Sequence, residues 1–328
     1  MENPFFGMAQ LHWHFRKPSA KQVFSDHSDI FGGIRNVRQR VALKKLFFDR
    51  YLSEASTARY LKIARRNDVT RALFRAANSP DSDWRSHAYD VLSLVRPRGY
   101  SKLLSERVRT DDVHQNRFEL IRYLTRSPTR VPLRTIEHAV FDSHRSVREA
   151  AAVELVKRKG FRYLAGLLDR FFPENAKRVT RPELFYLESS PEPVPISEIE
   201  KNRNAGRQVF LHRGVPVYLV DSKSLPPKEG AKLPALGKYI HGVLWLNSDP
   251  AVLPARFRRA IAEHEVGEMF SHDIAQGLTL HYLGRKGLLS DYWNFYKDKP
   301  FVFVRDRELQ KLCEEYPKDF GRFRRFLR

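Results

Sequence analysis

Three stretches of this 328-residue chain repeat one another at an interval of about 30 residues, and that recurrence limits the fold more than any other feature. They are Ser82–Leu92 (SDWRSHAYDVL), Asp111–Ile121 (DDVHQNRFELI) and Asp142–Ala152 (DSHRSVREAAA). Each opens on Asp or Ser-Asp, residues that cap a helix N-terminus, and runs on into an amphipathic helical pattern. Each is followed by a turn and a second helix, such as Phe161–Leu168 (FRYLAGLL). One helix pair cannot bury its own apolar face, but pairs stacked at a short fixed period bury one another's. The expected fold over residues 36–172 is therefore an all-α helical-repeat solenoid, with Ala88, Leu92, Leu120, Leu124, Ala151 and Leu155 in its core. An earlier pair, Val41–Tyr51 and Ser56–Ala77, reads as a degenerate first repeat.

The third stretch, from Asp142 through Val147-Arg148 to Ala151, resembles the HEAT-repeat signature, in which an Asp near the turn is followed by Val-Arg and a small residue. The resemblance implies a HEAT-like array. Arginines recur along it at 122, 126, 130, 134, 145, 148, 158, 162 and 170, and are expected on its outward faces. The whole chain carries a formal net charge of +21, which points to an anionic partner, nucleic acid first and an acidic membrane surface second. A curved basic array can track a phosphate backbone. Some HEAT-repeat proteins are DNA glycosylases, but that chemistry needs several aromatics around a flipped base. This region offers Trp84 alone among tryptophans, and the neighbouring Asp81 and Asp83 already serve as turn and cap.

The flanks are of a different kind. Residues 1–35 read as an N-terminal arm in which Leu11–Phe15 (LHWHF) sets two histidines on one strand face and Trp13 as a docking anchor. Residues 173–205 concentrate Pro, Ser and Glu and read as a linker. No run of 18 uncharged apolar residues exists to span a bilayer, and the first residues lack the pattern of a secretory signal. A single cysteine, Cys313, excludes an intrachain disulfide framework and fits a reducing, cytoplasmic setting.

Residues 206–328 read as an α+β domain, with strands first and helices after. Gln208–His212 and Val215–Val220 flank Arg213-Gly214, a two-residue hairpin turn. A polar, lysine-rich loop at 222–236 precedes a buried strand at 240–246 and a long helix over about 251–275, which Gly277 is placed to end. A further strand is expected at 301–304, then helices near 306–315 and 317–327.

The long helix carries the chemistry, in Ala260–Phe270 (AIAEHEVGEMF). His264 and Glu268 stand four residues apart on one helix face, about 6 Å along the axis, so an imidazole and a carboxylate can converge on one cation. Such an N/O pair suits zinc, and the neighbouring Glu265 can take a proton from a metal-bound water. His-Glu-x-x-Glu resembles the H-E-x-x-H helix of the zincin metallopeptidases, with Glu268 in place of the second His. A strand, a short loop and then the H-E helix is also the local order of zincin domains. The resemblance implies a Zn2+ ion and a hydrolase with Glu265 as general base. For the third ligand, His272 would lie about 12 Å beyond His264 along one continuous helix, so the choice falls on His281, with a water in the fourth position. Tyr282, Tyr292 and His241 are nearby in the chain and remain unranked as oxyanion stabilisers.

Two functions follow. One is a zinc-dependent, peptidase-like hydrolase with a basic repeat module that recruits a partner or nucleic acid. The other is a non-enzymatic repeat protein that binds nucleic acid or protein, with a degenerate or structural zincin-like domain.

Overall fold

The computed structural model describes residues 34–48, scattered positions between 56 and 63, and residues 67–126, 132–179, 207–221, 236–240, 243–296 and 306–326. The arm before residue 34, linker residues 180–205, loop 222–235 and the strand expected at 301–304 lie outside them. The chain forms two compact units, residues 1–100 and 101–328. It is mostly helical, with a small sheet in its C-terminal half.

In the first unit, α1 (Val37–Phe48), α2 (Asn67–Ala76) and α3 (Ser82–Val95) bury Leu43, Val69, Leu73, Ala88, Tyr89 and Leu92. Asp81 caps α3, its carboxylate accepting from the N–H groups of Asp83 and Trp84, so two otherwise unpaired amides are satisfied. Trp84 is itself buried, at 4% exposure, and takes the role of a core residue.

The second unit continues with α4 (Tyr100–Thr110), α5 (His114–Arg126), α6 (Leu133–Ala139), α7 (Arg145–Lys159) and α8 (Phe161–Val179). Leu120, Leu124, Ala151 and Leu155 are buried as their periodicity requires. The linker is expected from residue 173, but α8 runs through Pro173 to Val179. Packing outweighs the helix-breaking tendency of proline here. Phe172 is fully buried with its ring 6.4 Å from that of Tyr239, and Pro173 lies against Gly214.

One local device recurs in all three repeated stretches. A buried arginine turns back so that its Nη1 donates to two carbonyls at the start of its own helix. Arg85 reaches Ser79 and Pro80 at 3.0 and 2.8 Å, Arg117 reaches Asp111 and Asp112 at 2.8 and 3.3 Å, and Arg148 reaches Asp142 and Ser143, both at 3.0 Å. Arg117 also grips Asp142 through Nε and Nη2, both at 2.8 Å. Arg148 is thus not on an outward face. It is 2% exposed, and Arg145 beside it is half-buried with Nε on the Phe270 carbonyl. The hydrogen-bonding fork of each guanidinium fits the open carbonyls around a helix start, which draws these arginines inward. Arg134, Arg162 and Arg170 are exposed as expected, Arg122 pairs with Glu119 and Arg158 pairs with Glu154. The side chains of Arg126 and Arg130 lie outside the described residues.

The sheet has the order β1-β2-β4-β3, with β1 Arg207–His212, β2 Val215–Val220, β3 Gly237–Ile240 and β4 Val243–Asn247. The β1–β2 hairpin turns at Arg213 and Gly214, both at positive φ (51° and 78°), the twist that a two-residue turn needs. β2 and β4 run parallel, whereas β3 and β4 are antiparallel. The single strand expected at 240–246 is therefore two. His241-Gly242 is an interval of hairpin length that the apolar run on either side conceals. Every residue of β4 is buried, and α9 (Arg258–Gly267) packs against both β3 and β4. The remaining elements are α10 (His272–Lys286), α11 (Leu289–Tyr296), α12 (Asp306–Glu315), and the short α13 (Pro317–Phe320), which leads into a 3-10 turn where Phe320 and Phe323 dock the tail.

Candidate metal centre

The long helix expected over 251–275 is broken, and the break makes the site. After a 3-10 turn at Ala255–Phe257, α9 ends at Gly267, residues 268–270 turn, and α10 starts at His272. Two residues enforce this. A Cβ on Gly267 would stand 2.4 Å from the Ala275 Cα, so only glycine lets α10 fold back against the backbone of α9. Ser271 is extended and caps α10, its side chain accepting from the Ile274 N–H, with Asp273 in the first turn favouring the helix N-terminus. Gly277, expected to end the helix, instead lies within α10 where a Cβ would come within 2.1 Å of the Phe161 ring. Gly287, at φ 69°, terminates α10.

The fold-back overturns the reasoning that placed His272 too far from His264, since the two are not on one continuous axis. His264, Glu268 and His272 each offer a ligand atom within 4.8 Å of the others. Glu268 Oε1 lies between the imidazoles, 3.2 Å from His264 Nε2 and 2.6 Å from His272 Nδ1. His281 is not among these residues. It sits nine residues further along α10, where burial lowers its basicity against the opposing pull of Asp319. Glycine at 267 followed by Ser271-His272-Asp273 was the signal for a new helix start.

Hydrogen bonds orient both rings. The Thr279 hydroxyl donates to the Ala275 carbonyl at 2.8 Å, so at 3.3 Å from His264 Nδ1 it accepts from that ring. His264 Nε2 is thereby turned toward Glu268. His272 Nε2 meets the Gln276 amide at 2.9 Å. An amide can present N–H or C=O, so Gln276 can serve either tautomer of His272, including the one with Nδ1 free to bind a cation. Burial pushes the Glu268 carboxyl upward, but its hydrogen bonds to His264 and His272 and their charges outweigh that and hold it well below the usual carboxylate range. Two imidazoles and a carboxylate graded from buried (His264) to exposed (His272) form an N/N/O donor set open to solvent on one side. That chemistry suits a divalent transition metal, zinc among them.

Glu265, the residue after His264, is half-buried and is not one of the three clustered residues. Its Cγ lies beside Gly237 at the start of β3, 3.2 Å from where a Cβ would be. Tyr292 is a fully buried core residue packed on Phe257 and Tyr296. Tyr282 is half-buried, its hydroxyl made less acidic by burial, and His241 lies outside the described residues. Glu263, unmarked by the sequence reading, is an internal brace, bound by Arg213 Nη2 at 2.8 and 3.0 Å while Arg213 Nη1 donates to the Ala165 carbonyl at 3.0 Å.

No protein-family model, curated protein or solved structure matches this chain.

Proposed function

We propose that this protein is a zincin-like, metal-dependent hydrolase of the peptidase class, built on a HEAT-like helical array. The observation that carries the reading is the convergence of His264, Glu268 and His272 within 4.8 Å, beside a glutamate at position 265. The metal-binding residues are these three, with His272 in the role first expected of His281. When bound, zinc supplies Lewis acidity for a substrate carbonyl and for an attacking water. Glu265 would accept a proton from a water activated in this way and pass it to the leaving amine. Glu268, held ionised by both imidazoles, neutralises part of the cation's charge. β3 stands at the edge of the described sheet, with Glu265 against its first residue. An extended peptide laid along that edge would pass beside the general base, which favours a peptide over a compact substrate. The recurring Arg85, Arg117 and Arg148 device, at intervals of 32 and 31 residues, supports the repeat reading of the helices.

Elemental analysis and one variant test the reading. The expected result is about one zinc per chain, and a Glu265→Gln variant that keeps the zinc and the fold while losing hydrolysis of unstructured peptides. A metal-replete wild type that cleaves no peptide, or a Glu265→Gln variant as active as wild type, overturns it.

A groove of about 840 Å3 favours a second role for the array. It is lined by Lys102, Arg109, Arg134, Phe141, Leu167 and the half-exposed Phe171, with Glu106 and Glu137 offsetting part of the charge. Basic and aromatic side chains together suit a single-stranded nucleic acid. Binding to mixed RNA should fall steeply with salt if phosphates drive it; salt-insensitive or absent binding removes this role.

A further inference from the structure

The series of buried arginines ends on the turn that carries the metal ligands. In the preceding step Arg117 spans from α5 to Asp142, at the start of α7. At the next step the matching edge of Arg148 donates to the Met269 carbonyl, from Nε at 3.2 Å and from Nη2 at 3.0 Å. Arg145 Nε adds a hydrogen bond to the Phe270 carbonyl at 3.2 Å, and Glu149 accepts from the Ser271 side chain. The N–H groups of Met269 and Phe270 return to Val266 and Gly267. Their carbonyls are thus met by α7, which binds three consecutive residues, 269 to 271, between the ligands Glu268 and His272.

We propose that Arg148 and Arg145 are positioning residues of the metal centre: α7 grips the 269–271 turn so that Glu268 and His272, on opposite sides of it, meet His264. This rests on the metal reading above. Ligands from two helices joined by a short turn hold their geometry only as well as the turn does. Supporting groups of this kind commonly change metal affinity 10- to 100-fold. Hydrogen bonds from a cation buried to 2% exposure are stronger than neutral ones and leave the turn little freedom.

The test uses the full chain, measuring zinc affinity by chelator competition and amide hydrogen exchange at 268–273 without metal. Arg145→Ala and Arg148→Lys should weaken zinc binding about tenfold or more and speed exchange at 268–273. Arg117→Lys breaks the equivalent contact one step away. It should lower the thermal midpoint yet keep wild-type zinc affinity, which separates positioning from general support of the array. Arg145→Ala, at a half-buried position, carries the test if Arg148→Lys loses helix content. Wild-type affinity and exchange in both variants overturn the proposal, as does an equal affinity loss in Arg117→Lys. A wild-type chain that takes up no zinc removes the metal reading, and the grip of α7 on the turn then stands or falls on exchange at 268–273.

Discussion

His272 and His281 are both imidazoles on α10, and only their place on that helix separates their roles. At the first residue of α10, His272 faces back to Glu268 at 2.6 Å; nine residues on, His281 is outside the cluster, and burial lowers its basicity. His264→Ala and His272→Ala should each abolish stoichiometric zinc uptake, whereas His281→Ala should retain it; zinc kept by His272→Ala and lost by His281→Ala would reverse the assignment. Zinc uptake should also release protons and weaken in acid, because imidazole ligands bind only when deprotonated. The pairing of His264 with Glu268 was legible in the sequence because spacing within one helix is fixed by its pitch. His272 was not, because its nearness depends on a chain reversal. Counting along an axis assumes that the axis continues.

At the scale of elements, local chemistry was readable and close approach was not. The Asp81 cap, the Arg213-Gly214 turn and the apolar positions of the repeated helices all follow from interactions within a few residues. Gly267 and Gly277 instead answer to atoms far along the chain or across a helix pair, which no local pattern displays. Gly267→Ala should therefore destabilise the second unit by about 2 kcal/mol or more, since a Cβ 2.4 Å from the Ala275 Cα forces α9 and α10 apart. Zinc affinity should fall with it, as His264 and His272 separate. Ser271→Ala should cost about 1 kcal/mol through the lost α10 cap. Thermal unfolding with and without zinc distinguishes the two effects; a Gly267→Ala chain with the wild-type midpoint would mean that the helices do not approach as closely as the structure has them. The arginine device illustrates the same limit: arginine's charge suggested solvent, while its five donors suit a buried helix start.

For the molecule as a whole, the excess of positive charge is partly absorbed inside, and several buried groups make the second unit sensitive to acid. His212, at the end of β1, is pushed down to about 3 by burial and by Arg213, against a weaker upward pull from Asp169. Glu263 Oε1 stands 3.7 Å from its Nε2, but that carboxylate is already held by Arg213, so the net effect is downward. His144 is lowered to about 4 by burial and by the ring of His114 stacked 3.5 Å away. Both are bases whose folded pKa lies below the unfolded value near 6.5, so between those values the unfolded chain binds more protons. Their contribution is complete above pH 6.5 and declines as pH falls toward 4 and then 3. Glu268 works in the same sense at lower pH: its depressed carboxyl stabilises the fold above its unfolded pKa, and that stability is lost as acid protonates it. Denaturant midpoints should thus fall steadily from pH 7 to pH 4. His212→Gln, which keeps a polar group there but cannot titrate, should flatten that slope, with an upper limit on the order of 3 kcal/mol between pH 6.5 and pH 4. An identical slope in wild type and variant would mean that His212 is protonated without cost, and that the hairpin end where it lies is open to water.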